Sequence, residues 1–358
     1  MKLALKALAL FYEFITTLRN KAFEKGFLKV YNSPIPVVSV GNLSVGGEGK
    51  TPIVDWLIQF YLSQNVRVAV ISRGYGRKTK GTLTVCDGNL VRLSASEAGD
   101  EPLMLARRNP KTIVVVAEVR SEGVELILRD FGNHLPDVIL LDDGFQHQSI
   151  RRDLDLLVIN PLRSPFEDFL IPLGRLRESV DGIKRADFIL LSKVDRYSPI
   201  KQITKEIAPY HKPIVKTTMV IKGLRSFATG ELIDLGKNNF NYTSVFAFCG
   251  IGDPNSFRET LEYAGLLVDE FKVFPDHYIF QERDIEDILL RRLRKGINLI
   301  VTTEKDYFRL KANEQIFGRL AKDACFYLEI GVEFGVDSKN ENDLLASKLI
   351  SVLNMHAN

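Results

Sequence analysis

Short apolar runs alternate with amphipathic stretches along most of this chain, an alternation that predicts a parallel sheet covered by helices. Residues 36–40, 67–72, 112–117, 138–141, 156–159 and 188–191 are rich in Val, Ile and Leu and have the length of strands. Several are apolar at every position, so both faces of the sheet are expected to be buried, as in a doubly wound α/β fold. The pattern changes near Tyr210. Residues 211–222 read as an extended ribbon, and a second α/β set follows with strands at 245–248, 298–302 and 325–330. The expected organisation is an amphipathic helix in 1–30, a core domain in 31–210, a ribbon linker over 211–224, a smaller α/β domain in 225–335 and a C-terminal helix in 336–358.

The first segment is patterned differently. Leu3, Ala7, Leu10, Phe11, Phe14, Leu18 and Ala22 recur at spacings of three and four, with Lys2, Lys6, Glu13 and Asn20 on the other side. Lys6 and Glu13 interrupt the apolar run, which falls short of the ~20 apolar residues a bilayer span requires. No small-residue cleavage site follows it, as a signal peptide would need. Two uses stay open: a helix packed on the core, or one lying in a membrane interface with Phe11, Phe14 and Phe27 among the acyl chains. No other stretch is long and apolar enough to span, so any membrane contact is expected to be peripheral.

Charge sharpens this. The chain's net charge is only +3, yet its first 30 residues carry six Lys and Arg against two Glu. So local an excess points to an anionic partner at that segment, an anionic membrane surface, and away from a nucleic-acid footprint. At 45% hydrophobic and 26% charged residues the rest is ordinary globular protein. Cys86, Cys249 and Cys325 lack any ligand or disulfide spacing and are expected to be buried hydrophobes.

The strongest chemical signal is Ser44-Val45-Gly46-Gly47-Glu48-Gly49-Lys50-Thr51, between an apolar strand and a helix start. It matches a phosphate-binding P-loop in which Ser44 stands for the usual first glycine. Gly46, Gly47 and Gly49 let backbone N–H groups turn inward around phosphate oxygens, Lys50 reaches the β/γ bridge, and the Thr51 hydroxyl coordinates Mg²⁺. About ninety residues on, the strand at 138–141 runs into Asp142 and Asp143, the form of a Walker B strand that holds Mg²⁺ beside the triphosphate.

P-loops serve switches, motors and kinases alike. The loop of MinD-like and ParA-like ATPases carries an additional lysine, where this chain has Val45. Ser192-Lys193-Val194-Asp195 is a partial match to the NKxD motif of GTPases; Lys193 and Asp195 either line a base pocket or cap the strand. A membrane-recruited nucleotide switch, ATPase or GTPase, acting on a protein partner is therefore the alternative to a kinase.

The remaining motifs favour the kinase. Arg73-Gly74-Tyr75-Gly76-Arg77, Gly99-Asp100-Glu101-Pro102, Asp142-Asp143-Gly144-Phe145-Gln146-His147, Gly174-Arg175-Leu176-Arg177-Glu178, Phe274-Pro275-Asp276-His277-Tyr278 and Thr302-Thr303-Glu304-Lys305-Asp306 occur in that order. With the P-loop they resemble the tetraacyldisaccharide 4'-kinase family of lipid A biosynthesis, over most of the chain. Ser179 stands where relatives commonly have Pro.

The resemblance implies transfer of the γ-phosphate of ATP, with Mg²⁺, to the 4'-hydroxyl of an acylated glucosamine disaccharide 1-phosphate lipid. It implies a peripheral place at the cytoplasmic face of the inner membrane. It gives Asp100 the role of base with His277 as its partner; apart from the resemblance, Asp100 is also a candidate helix cap and His277 reads as an ordinary satisfied histidine. It sets Asp142, Asp143 and Glu178 around Mg²⁺, although Glu178 is also positioned to pair with Arg175 or Arg177. Arg73, Arg77, Arg175 and Arg177 then face the lipid 1-phosphate or the nucleotide, or form a solvated basic loop. Because Asp100 and His277 belong to different expected domains, closure about the ribbon is expected to bring them together.

Overall fold

The computed structural model describes residues 2–195, 197–235, 243–335 and 339–356, without the side chains of residues 2–4. Lys2 and Leu3 of the amphipathic pattern and both ends of the expected C-terminal segment, 336–338 and 357–358, thus lie outside the described side chains or residues. The strands in chain order are β1 (Val37–Gly41), β2 (Val68–Ser72), β3 (Leu83–Asp87), β4 (Ile113–Val116), β5 (Val138–Asp142), β6 (Leu154–Ile159), β7 (Phe188–Leu191), β8 (Ile214–Ser226), β9 (Leu232–Ile233), β10 (Ser244–Cys249), β11 (Leu267–Val273), β12 (Leu299–Thr303) and β13 (Cys325–Phe334). The α-helices are α1 (Lys2–Glu24), α2 (Lys50–Ser63), α3 (Ala95–Ala98), α4 (Asp100–Arg108), α5 (Arg120–Asp130), α6 (Ile200–Ile207), α7 (Pro254–Tyr263), α8 (Glu282–Lys295), α9 (Glu304–Lys311), α10 (Glu314–Ala321) and α11 (Lys339–Leu353).

One sheet runs through the whole chain in the order β11-β10-β12-β13-β8-β7-β6-β1-β5-β2-β4-β3, with β9 paired to β8. The pairings are parallel except at β3/β4, β8/β13 and β8/β9. β8 joins the two halves: Ile214 to Lys216 pair with β7, and Thr217 to Ser226 pair with β13. The stretch read as a ribbon is thus an integral strand of a continuous sheet.

The wholly apolar strands are buried on both sides because each face packs on helices. Val38 and Val40 of β1 face Ile53 and Leu57 of α2, while Val37 points to the opposite cluster with Ala69 and Ile139. Three strands escaped the sequence pattern: the two-residue β9, β3 and β11. β3 and β11 are the two edges of the sheet, β11 without a buried position and β3 buried only at Val85 and Cys86, and their polar positions break the apolar run that marks a central strand. The three cysteines are unpaired and buried.

A buried ionic cluster ties the P-loop helix to the second half. Arg108, at the end of α4, bonds Asp55 of α2 at 2.9 Å, Glu304 of α9 at 2.7 Å and the Ile330 carbonyl of β13 at 3.0 Å. None of the three charged side chains is more than 10% exposed. Arg108→Leu strands two carboxylates in the interior and is expected to destabilise the protein by roughly 3–5 kcal/mol. Because a stranded buried carboxylate takes up a proton more readily than in the unfolded chain, the loss shrinks as pH falls. Urea titrations at pH 8 and pH 5.5 measure both effects; unchanged midpoints would contradict them.

Candidate functional site

The P-loop occupies the centre of the sheet. β1 lies between β5 and β6, and the register sets Val40 opposite Asp142, so the loop after β1 and the carboxylates after β5 lie at the same level. Gly49, the N-cap of α2, has φ 85° in the left-handed region, where a side chain would be strained and a Cβ would meet Ser192. That turn aims the free amides and positive dipole end of α2 into the loop, a ready anion site. The Ser192 hydroxyl donates to the Glu48 carbonyl at 2.6 Å, so the first residue of the SKVD run anchors the loop. Asp195 caps its own turn, accepting from Tyr197 N–H and the Ser198 hydroxyl. The Glu48 carboxylate is buried with neither oxygen hydrogen-bonded, and burial pushes its pKa up.

Charges converge beside the loop. Lys50 Nζ lies 3.1 Å from Asn42 Oδ1 and 3.3 Å from Asp143. Arg177 forks onto both oxygens of Asp143 at 2.8 Å each. Burial would raise the Asp143 carboxyl, but Arg177 and Lys50 hold it far below the usual carboxylate range. Asp142 goes the other way: burial first, then the neighbouring charges of Glu101 and Asp143, push it up to about 6, although the Ser72 hydroxyl donates to it at 2.8 Å. The mutually repelling carboxylates of Asp142 and Asp143, at the level of the loop that ends in the buried Thr51, are a fitting donor set for a divalent cation. Among the described residues no three His, Cys, Asp or Glu side chains form a ready-made cage.

The acceptor side is built by α4. Gly99 has φ 89°, and a Cβ there would come within 2.9 Å of the Tyr75 carbonyl, so glycine alone lets the RGYGR turn close over the helix start. Asp100 begins α4, but its side chain makes no cap. Its Oδ2 instead lies 2.9 Å from His277 Nδ1 and accepts from Arg309 Nε at 2.9 Å. Burial alone would raise the Asp100 carboxyl; the hydrogen bonds with His277 and Arg309 keep it below its ordinary value. The bond to Asp100 in turn raises the His277 pKa. Arg309 is fixed by Asp306 at 2.8 Å and the Gly250 carbonyl at 2.5 Å. Asp100 and His277 therefore meet without a further closing movement about β8. The next residue of α4, Glu101, pairs with Lys305 at 2.5 Å, and after burial its charge, with that of Asp143, raises Asp142.

The expected basic and acidic loop residues are sorted by their partners. Glu178 accepts from Gln146 at 2.9 Å on one oxygen and from Asn20 at 2.9 Å and Arg185 at 2.7 Å on the other, so three protein donors engage its carboxylate. Arg77 pairs with Glu118 at 2.6 Å and Arg175 with Asp168 at 2.9 Å. Arg73 stays exposed after β2 with no hydrogen bond or ion pair among the described residues. The Arg175-Leu176-Arg177 run lies along the P-loop, Val45 N–H donating to Arg175 O at 2.8 Å and Arg177 N–H to Leu43 O at 2.7 Å.

Sequence reasoning missed Arg309, Asn42 and Gln146. Arg309 follows Asp306 by one helical turn, a spacing visible in the sequence, but its contact with Asp100 spans 209 residues and only folding reveals it.

The profile of the family described as tetraacyldisaccharide-1-P 4'-kinase matches residues 1–350. A tetraacyldisaccharide 4'-kinase of Chlorobaculum parvum is 42% identical over 353 residues, covering 98% of this chain and 94% of the relative. That of Chlorobium limicola is also 42% identical, covering 98% and 97%. A crystal structure of LpxK from Aquifex aeolicus in complex with ATP superposes with a TM-score of 0.75 at 33% identity, over 98% of this chain and 99% of the other.

Proposed function

We propose that this chain, which belongs to the tetraacyldisaccharide-1-P 4'-kinase family, uses its P-loop and its Asp100–His277 pair to phosphorylate the 4'-hydroxyl of a tetraacyldisaccharide 1-phosphate with ATP. It is an ATP-dependent phosphotransferase of lipid A biosynthesis. One observation carries the residue assignment: the first turn of α4 puts Asp100 on His277 and, one residue on, Glu101 beside the Asp142–Asp143 pair. This supports a site in which the residue that would orient an acceptor hydroxyl lies one position from a carboxylate that senses those that would hold the metal.

In this reading the main chain of residues 44–51 binds the β- and γ-phosphates of ATP, and Lys50 turns from Asp143 and Asn42 to the bridging oxygen. Thr51, Asp142 and Asp143 would hold Mg²⁺, which supplies charge neutralisation on the phosphates. Glu178, engaged by Gln146, Asn20 and Arg185, orders the loop carrying Arg177. Asp100 accepts the hydrogen bond of the 4'-hydroxyl, aligns it on the γ-phosphorus and receives its proton, which His277 shares once neutral. A loose transition state acidifies the nucleophile late, so a carboxylate of low basicity is adequate if its position is fixed, and Arg309 fixes it. Arg73, exposed and with no hydrogen bond or ion pair among the described residues, is the arginine left to meet the lipid 1-phosphate; Arg77, Arg175 and Arg177 shape the site through their carboxylate partners.

The acceptor carries several acyl chains, and α1 exposes Leu10, Phe11, Phe14 and Leu18 at 59–66%, with Phe27 at 80% beyond it. No helix among the described residues is long and apolar enough to cross a membrane. The helix instead lies in the headgroup layer at the cytoplasmic face of the inner membrane, with Lys21, Lys25 and Lys29 on anionic lipid.

Two measurements test this reading. With γ-labelled ATP and the disaccharide 1-phosphate lipid in micelles, label is expected in the lipid; label in free phosphate alone would favour a nucleotide switch. The double variant Phe11→Ser, Phe14→Ser is expected to lose at least ten-fold in co-sedimentation with phosphatidylcholine–phosphatidylglycerol vesicles, by the free energy of two buried aromatic side chains. Undiminished co-sedimentation would remove the membrane assignment.

A further inference from the structure

α1 is turned opposite to an ordinary surface helix. Its large apolar side chains, Leu8, Leu10, Phe11, Phe14, Ile15 and Leu18, face outward, and its polar stripe faces the protein. Along that stripe the Tyr12 hydroxyl donates to the Arg177 carbonyl at 2.9 Å, and Arg19 donates to the Gln146 carbonyl at 3.0 Å. Asn20 goes further, because its one amide holds two loops. Its Nδ2 donates to Glu178 Oε2 at 2.9 Å, and its Oδ1 accepts from Gln148 Nε2 at 2.7 Å.

Those two loops carry the two halves of a single contact. Glu178 follows Arg177, Gln148 lies five residues after Asp143, and Arg177 grips Asp143 through both carboxylate oxygens beside Lys50. Gln146 adds a second stitch, its Nε2 donating to Glu178 Oε1 at 2.9 Å and to the Asn42 carbonyl at 2.8 Å. The two loops are thus tied to one another in part through α1. A shift of order 1 Å in a group aligned for transfer costs on the order of 10²-fold in rate.

We infer that Asn20 of α1 is a positioning residue for the phosphoryl transfer: by bridging Glu178 and Gln148 it sets the Arg177–Asp143 contact against Lys50. This rests on the kinase reading above, and it gives α1 two separable jobs. The outward apolar face meets lipid; the inward amide orders the nucleotide site.

Asn20→Asp isolates the second job. The carboxylate still accepts from Gln148 but cannot donate to Glu178, against which it sets a like charge. The expected result, assayed with the full chain and lipid acceptor in micelles, is a kcat lower by roughly ten-fold or more. The KM for lipid and vesicle co-sedimentation stay within about two-fold of the parent, a split that a packing defect in α1 would not give. Tyr12→Phe, which removes only one hydroxyl, is the milder control if Asn20→Asp folds poorly, with an expected loss in kcat of about three-fold. A parental kcat in both variants overturns the inference, and so does a loss in kcat that merely tracks lost vesicle binding. Failure of the kinase reading looks different, since the parent itself would then put no label into lipid.

Discussion

Replacing Asp100 by Asn lowers kcat by roughly 10²–10⁴-fold with the KM for ATP changed only a few-fold, the expected cost of removing a positioned proton acceptor. Asn keeps the shape and still accepts from Arg309, so the loss reports chemistry and not collapse of the α4 turn. The pH dependence identifies the partner. Asp100, held below its ordinary pKa by His277 and Arg309 against the effect of burial, stays ionised from pH 5 to 9 and gives no acid limb there. His277 has a raised pKa because Asp100 accepts its hydrogen bond, so the imidazolium persists above the usual value near 6.5. Activity is expected to rise with pH as that proton leaves, and His277→Gln is expected to lose the limb along with part of the rate. Rate profiles of the parent and both variants decide it: a parental kcat in Asp100→Asn, or the same limb in His277→Gln, refutes the assignment.

Lys50→Ala is expected to lower kcat/KM for ATP by about 10²–10³-fold, the usual scale for a cation aimed at developing transition-state charge. The fold should survive, because Asp143 keeps its bidentate Arg177 when Lys50 is gone. Equal melting temperatures with a collapsed kcat/KM therefore form the expected pair of results. Lys50→Arg should not rescue, since a planar fork cannot take the place of a point charge inside a tight loop. Nucleotide handling that survives Lys50→Ala would take away the foundation of the site.

Much of the site was legible because phosphate binding is local. A strand, three glycines, a lysine and a threonine are consecutive in the chain, and their geometry follows from the backbone of one turn. The central strands were legible for a similar reason: burial on both faces forces an unbroken apolar run, which the edge strands β3 and β11 do not need. The family resemblance, carried by seven motifs in order, was borne out by relatives along nearly the whole chain. Pairings across the chain were not legible. Arg177, open to several partners on paper, takes Asp143 as its carboxylate, and Glu178 is engaged by Gln146, Asn20 and Arg185. An arginine within reach of several carboxylates chooses by distance in the fold, and one-dimensional spacing does not encode that distance.

The first helix shows the division most clearly. The sequence by itself determined that it is amphipathic, too interrupted to span a bilayer and richer in positive charge than the rest of the chain, because periodicity and charge are properties of consecutive residues. Only the tertiary structure decided which face is turned inward. A helix buries whichever side finds partners, and here the donors and acceptors of Tyr12, Arg19 and Asn20 are met by groups brought from residues 146–178, leaving the aromatic side to the surroundings.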